Sequence, residues 1–212
     1  MQKIMFNQRY GLQQAVFDGR KPITRREPYF GEVKNPNVGF LEGKDKNRLA
    51  LADGNFIVAK SRYAVGEVVA IAQSYHELGM ILAERGMKRT DDKFDKYYLA
   101  RQFGCVCDTD AGWDNKMFVK AELMPHHIKI TDIKAERLQD ISDDDCLREG
   151  IIEGEFMNTW DRYYFDEWGD VPNHITFETP REAFAALIDK VSGKGAWERN
   201  PWVFAYSFER ID

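Results

Sequence analysis

The chain has 212 residues, 43% of them hydrophobic, with a formal net charge of -5 and three cysteines. That is enough apolar material for one large core with excursions, and the acidic balance argues against a protein that coats duplex nucleic acid, whose affinity comes from neutralising many phosphates. With no long apolar run, no signal peptide or lipidation motif, and few cysteines, the composition predicts a soluble, cytoplasmic protein with no membrane partner.

In chain order, Ile4 to Phe6 reads as a short strand. Asn7 is a candidate cap for a helix whose Leu12, Ala15 and Val16 fall at helical spacing, and Gly19 is the residue type that ends a helix in the left-handed region. Four cations, Arg20, Lys21, Arg25 and Arg26, then fall within seven residues. Pro22 keeps Lys21 extended in a turn, so the second strand starts near Ile23. Alternation along it puts Thr24 and Arg26 on one face, Ile23 and Arg25 on the other. The cluster reads either as a solvated basic turn complementing the helix dipole or as a site built around the Thr24 hydroxyl.

Pro, Gly and Asn between Pro28 and Asn47 mark a loop-rich excursion. Leu49 to Ala52 and Phe56 to Ala59 flank Asp53-Gly54-Asn55, a hairpin. Val68 to Ala72 is a compact strand expected to be buried on both faces. From His76 to Phe103 the apolar spacing is helical, Gly104 to Lys116 reads as a loop carrying Trp113, and Met117 to Leu123 as a strand. Ile128 to Leu138 alternates with a register flip near Thr131-Asp132, which predicts a bulge.

Ser142 is an N-cap with Asp143, Asp144 and Asp145 in the first turn, Gly150 at the end, and Ile141 and Cys146 at hydrophobic-staple positions. Residues 151–178 are aromatic but aperiodic and read as a flap. Thr179-Pro180-Arg181-Glu182 is a capping box opening a helix that buries Phe184, Leu187, Ile188 and Val191. Phe204, Tyr206 and Phe208 alternate in a closing strand that must return to the sheet.

Cys105, Cys107, His126 and His127 lack the usual zinc-ligand spacing, and the three aspartates are accounted for by the helix dipole, so no metal and no cofactor is expected. Glu149 is three residues beyond Cys146 and therefore shares its core-leaning face. It reads either as an exposed helix-end acid or as a proton donor or cation partner, since a helix C-terminus favours the neutral acid.

Gly19-Arg20-Lys21 with Thr24 and Arg26, followed by Leu138-Gln139-Asp140-Ile141-Ser142 leading to Glu149-Gly150, resembles the ASCH domain, most of all its longer phage, prophage and bacterial members. Met124-Pro125 and Asn200-Pro201-Trp202-Val203 extend the resemblance. It covers most of the chain outside residues 28–60, 76–112 and 153–178, which read as insertions.

The resemblance implies an α+β fold, a PUA-like β-barrel with flanking helices and hairpin and helical insertions, in a single domain over residues 1–212. It also implies a cleft that binds RNA or a modified nucleoside. Small bacterial members remove the acyl group from N4-acetylcytidine with a lysine, a threonine and a glutamate, which match Lys21, Thr24 and Glu149. In that amidohydrolase reading Thr24 is the nucleophile, Lys21 the base and Glu149 a proton donor or positioning acid. Arg20, Arg25 and Arg26 lower the lysine pKa by like charge and, with Trp113 and Asn115 on the Gly112 to Lys116 loop, bind substrate or nucleic acid. Two departures stand out: Pro22 where a threonine is common, and Arg25 where an aliphatic residue is usual. A scaffold or assembly role in a phage-derived context is the third reading.

Overall fold

The computed structural model of the chain describes residues 1–28, 34–78, 115–156, 159–167 and 175–212. The chain is α+β and forms two compact units, the smaller made of Met1–Phe6, Val68–Ile128 and Ile211–Asp212, the larger of Asn7–Glu67 and Lys129–Arg210.

In the smaller unit β1 (Lys3–Ile4) pairs in parallel with β6 (Val68–Ile71), Lys3 opposite Ala70 and Ile4 opposite Ile71. Val69, Ala70, Ile71 and Ala72 are completely buried, as a run of small and branched apolar residues demands. The segment expected to be a strand over Met117 to Leu123 instead makes two 3-10 turns, Lys116–Phe118 and Ala121–Leu123. Two contacts account for this. Asn115 accepts a hydrogen bond from the Met117 amide, and the Lys3 ammonium gathers the carbonyls of Lys116, Met117 and Val119 at 2.8, 2.7 and 2.6 Å, so they converge on one point where a strand would alternate them. The helix predicted from His76 lies outside the described residues beyond Leu78. Its start is described: Ser74 accepts from the Glu77 amide while Glu77 accepts from the Ser74 amide, a reciprocal box.

In the larger unit the strand order is β7 (His127–Arg137), β10 (Trp202–Arg210), β2 (Ile23–Arg26), with β10 antiparallel to β2. The closing strand therefore returns to the sheet as its pattern requires, between two neighbours. On β7 Ile128 and Ile130 are buried, Thr131 and Asp132 are both exposed, and burial resumes at Ile133, so the inward face changes register at the predicted place. A second sheet, β3 (Asn37–Phe40), β4 (Leu49–Asp53) and β5 (Phe56–Lys60), contains the predicted hairpin, with Gly54 at φ +58° supplying its turn. β8 (Ile152–Phe156) and β9 (Thr159–Tyr164) form a hairpin where aperiodic aromatics predicted an irregular flap, and Phe177 bridges to Tyr163. Among the described residues none of these strand orders closes into a ring.

Two helices of the larger unit lead into the site, and a third packs against the second of them. Leu12–Phe17 buries Leu12, Ala15 and Val16, but its N-cap is Gly11; Asn7 instead accepts from the Tyr10 amide one turn earlier. Asp143–Arg148 begins on Ser142, which accepts from the Asp145 amide, and Ile141 and Cys146 are buried at the staple positions. Pro180–Ser192 begins on Thr179, which accepts from Glu182, although the Glu182 carboxylate reaches back to the amide of Glu178 and not to that of the cap. Phe184 and Leu187 are buried, while Val191 is exposed at the last turn.

Candidate functional site

The turn after the first helix is what brings Lys21 inside. Gly19 takes φ +75°, its amide bonding back to the Val16 carbonyl, and the Lys21 amide bonds to the Ala15 carbonyl at 3.0 Å. This directs the lysine stem inward, under Leu12 and Ala15, while Arg20 stays on the surface paired with Asp18 at 3.1 Å. On the far side, Ser142 and the acidic first turn fix the second helix, so that Glu149 follows it as C-cap and Gly150 turns away at φ +108°. A Cβ at Gly150 would stand 3.1 Å from Leu12 Cδ2 and 3.7 Å from Lys21 Cδ, which shows how closely this chain reversal approaches the lysine.

Lys21 and Glu149, 128 residues apart, meet as a buried ion pair, the ammonium also donating to the Glu149 carbonyl oxygen at 2.7 Å. Lys21 is 2% exposed, and Thr24 and Glu149 are 4% exposed. Burial is the largest influence on Lys21 and pushes its pKa below the ordinary lysine value; Glu149 opposes this and the neighbouring Arg26 and Arg25 reinforce it. Arg20, paired with Asp18 on the surface, is not among the leading influences on Lys21.

Arg25 is the centre of a second set. Its Nε donates to Glu136 at 2.8 Å, its Nη2 to Asp145 at 2.6 Å and its Nη1 to Glu149 at 3.2 Å. Burial opposes its charge, but the three carboxylates outweigh burial and raise its pKa. Asp145, drawn to Arg25 and to Arg148, is held below the usual carboxylate range despite partial burial. Glu136 also has Lys134 against its second oxygen. The sequence points to neither carboxylate: alternation after the register flip places Glu136 outward, and the helix dipole accounts for Asp145. The available signal was Arg25 itself, since an arginine inside a short strand has to find carboxylates once buried.

Thr24 lies opposite Tyr206 of β10 and Arg26 opposite Phe204, so both point to the face bearing the Tyr63–Tyr206 edge-to-face pair, whose centroids are 5.3 Å apart. The Thr24 hydroxyl makes no hydrogen bond among the described residues. Arg26 is half-buried among Tyr63, Glu149, Arg62 and Tyr206, and burial lowers its pKa, though an arginine remains charged. β2 ends the described strand order, and Glu149 touches Arg25 on one face of it and acts electrostatically on Arg26 on the other.

Asn115 is exposed and caps a 3-10 turn of the smaller unit. Trp113 lies outside the described residues, as do Cys105 and Cys107; His126 and His127 face Asp212, with His127 Nδ1 2.7 Å from its carboxylate. Among the described residues no group of three or more His, Cys, Asp or Glu is placed to hold a metal ion, and no helix is long and apolar enough to cross a membrane. Compared with protein-family models, curated proteins and solved structures, the chain matches none.

Proposed function

We propose that this chain is an ASCH-type protein with a PUA-like architecture, which takes a modified nucleoside and hydrolyses an N4-acyl group from it. The observation that carries the reading is the buried Lys21–Glu149 pair, with Lys21 two residues before the strand that bears Thr24. A lysine under desolvation sheds its proton more readily than one in water, which is what a general base requires. Neutral Lys21 takes the proton of the Thr24 hydroxyl as Oγ1 bonds to the acyl carbon. The C–N bond then breaks, and the leaving cytosine amine takes that proton back from the ammonium. Water attacks the Thr24 ester by the same route, releasing the carboxylic acid and restoring the hydroxyl. Glu149 accepts from Lys21 through one oxygen and from Arg25 through the other, which suits a residue that positions the lysine better than one that donates a proton.

A nucleoside is favoured over an RNA strand because the local cations are already matched. Lys21 and Arg25 face Glu136, Asp145 and Glu149, and Arg20 is on Asp18. Few of these charges remain for phosphates. Purified protein incubated with N4-acetylcytidine tests the reading: deacylation that Lys21→Arg abolishes supports it, because a guanidinium cannot act as a base at neutral pH. No deacylation, or salt-steep RNA binding that survives Lys21→Arg, supports the binding or scaffold readings instead.

A further inference from the structure

Lys21 presents a chemical conflict. A base has to be neutral, yet this lysine touches a carboxylate, and a carboxylate as sole partner would keep it protonated. The geometry around Glu149 resolves the conflict. The carboxylate is divided: Oε2 faces Lys21, while Oε1 accepts from Arg25 Nη1 at 3.2 Å. Arg25 is in turn held by Glu136 on β7 and by Asp145 in the first turn of the 143–148 helix, each at or below 2.8 Å. It cannot swing away from Glu149 without leaving two other ion pairs, and its guanidinium fork is planar and rigid.

We propose that Arg25 is a positioning residue that divides the Glu149 carboxylate with Lys21 and thereby governs how readily the Lys21 ammonium gives up its proton. Its bearing on catalysis rests on the amidohydrolase reading; its bearing on Lys21 does not. Among the described residues the charged groups that act most on Lys21 are Glu149 from the helix end and Arg25 and Arg26 from β2; the side chains that approach Gly150 beside its stem from the first helix are Leu12 and Ala15. Behind Arg25 stand Glu136 with Lys134, and Asp145 with Arg148. Removing Arg25 takes away a cation near Lys21, frees Glu149 to pair with it alone, and leaves Glu136 and Asp145 unbalanced. All three effects favour the protonated lysine. Removing the Asp145 charge acts in the opposite sense, since Arg25 is then less neutralised and leans further on Glu149.

The test is an NMR pH titration of the Lys21 ε-methylene signal in 13C-lysine protein, the signal being assigned by its loss in Lys21→Arg. Arg25→Met is expected to raise the Lys21 midpoint by about one pH unit or more, the scale of a neighbouring charge, with Arg25→Lys closer to the parent. Asp145→Asn, on a half-buried side chain at the helix start, is expected to lower it and gives the answer by itself should Arg25→Met fail to fold. A Lys21 midpoint that does not move in either variant, or that moves the same way in both, overturns the proposal. Deacylation of N4-acetylcytidine by the parent is scored separately: its absence, with both shifts present, removes the enzyme reading and leaves the role of Arg25 standing.

Discussion

Glu149→Leu and Lys21→Met remove opposite halves of one ion pair, and the structure requires them to be unequal. Without Lys21, Glu149 keeps the Arg25 hydrogen bond at 3.2 Å, so the loss is that of one charge-assisted contact, about 1–3 kcal/mol. Without the Glu149 carboxylate, Lys21 retains only the backbone carbonyl at 2.7 Å, and a buried cation stripped of its counter-charge costs about 3–5 kcal/mol. At about 2–4 °C per kcal/mol for a chain of this size, Glu149→Leu should lower Tm by about 6–20 °C. The deficit should also depend on pH. Lys21 has a folded pKa already lowered by burial, and losing Glu149 lowers it further, while the unfolded lysine stays near its ordinary value. Between the two pKa values the unfolded chain binds more protons, so the variant gains stability as pH rises. Urea denaturation followed by circular dichroism at pH 7 and pH 9.5 reads both effects. The reasoning is refuted if Glu149→Leu costs no more than Lys21→Met, or if the gap is the same at the two pH values.

The deacylation rate should climb with pH and level off at an apparent pKa below the ordinary lysine value of 10.5, because the base is Lys21 and burial lowers it; a flat profile from pH 6 to 10 would exclude lysine as the base. Gly150→Ala should destabilise the protein by about 1–3 kcal/mol, since φ +108° is strained for a residue with a Cβ and that atom would crowd Leu12 at 3.1 Å; an unchanged Tm would mean the reversal relaxes freely. Cys146, fully buried with its thiol pushed up to about 12, should resist a disulfide-exchange reagent until the protein unfolds; labelling in the native state would show that this helix opens. Acid should weaken the Arg25 cluster through Asp145: its folded pKa lies below the unfolded value, so its stabilisation is complete above pH 4 and is lost as pH falls through the folded pKa. Asp145→Asn should flatten the acid limb of the stability curve.

What was legible in the sequence follows from how local each cause is. Ser142, Thr179 and Gly19 act within one turn of themselves, and all three end or begin helices as their chemistry requires. The β4–β5 hairpin was equally plain, because Asp53-Gly54-Asn55 carries its own turn geometry. The 117–123 segment failed for the opposite reason: its carbonyls are taken by Lys3, more than a hundred residues away, and no local pattern announces that. Lys21 and Glu149 were nominated by resemblance, and they touch. Arg25 was legible only as an anomaly, since Glu136 and Asp145 each have a sufficient local explanation that hides their joint role.

The Lys3 ammonium and the three carbonyls of residues 116, 117 and 119 form, in effect, a cation cage whose occupant is covalently attached. Oxygens spaced for an ammonium at 2.6–2.8 Å are also spaced for a bare potassium ion, which differs little from it in size and charge. A chain whose third residue could no longer supply the charge, by Lys3→Met or by acetylation, would present those oxygens empty. Its stability would then follow the identity of the monovalent salt and not merely the ionic strength, a dependence that the lysine removes by carrying the cation itself.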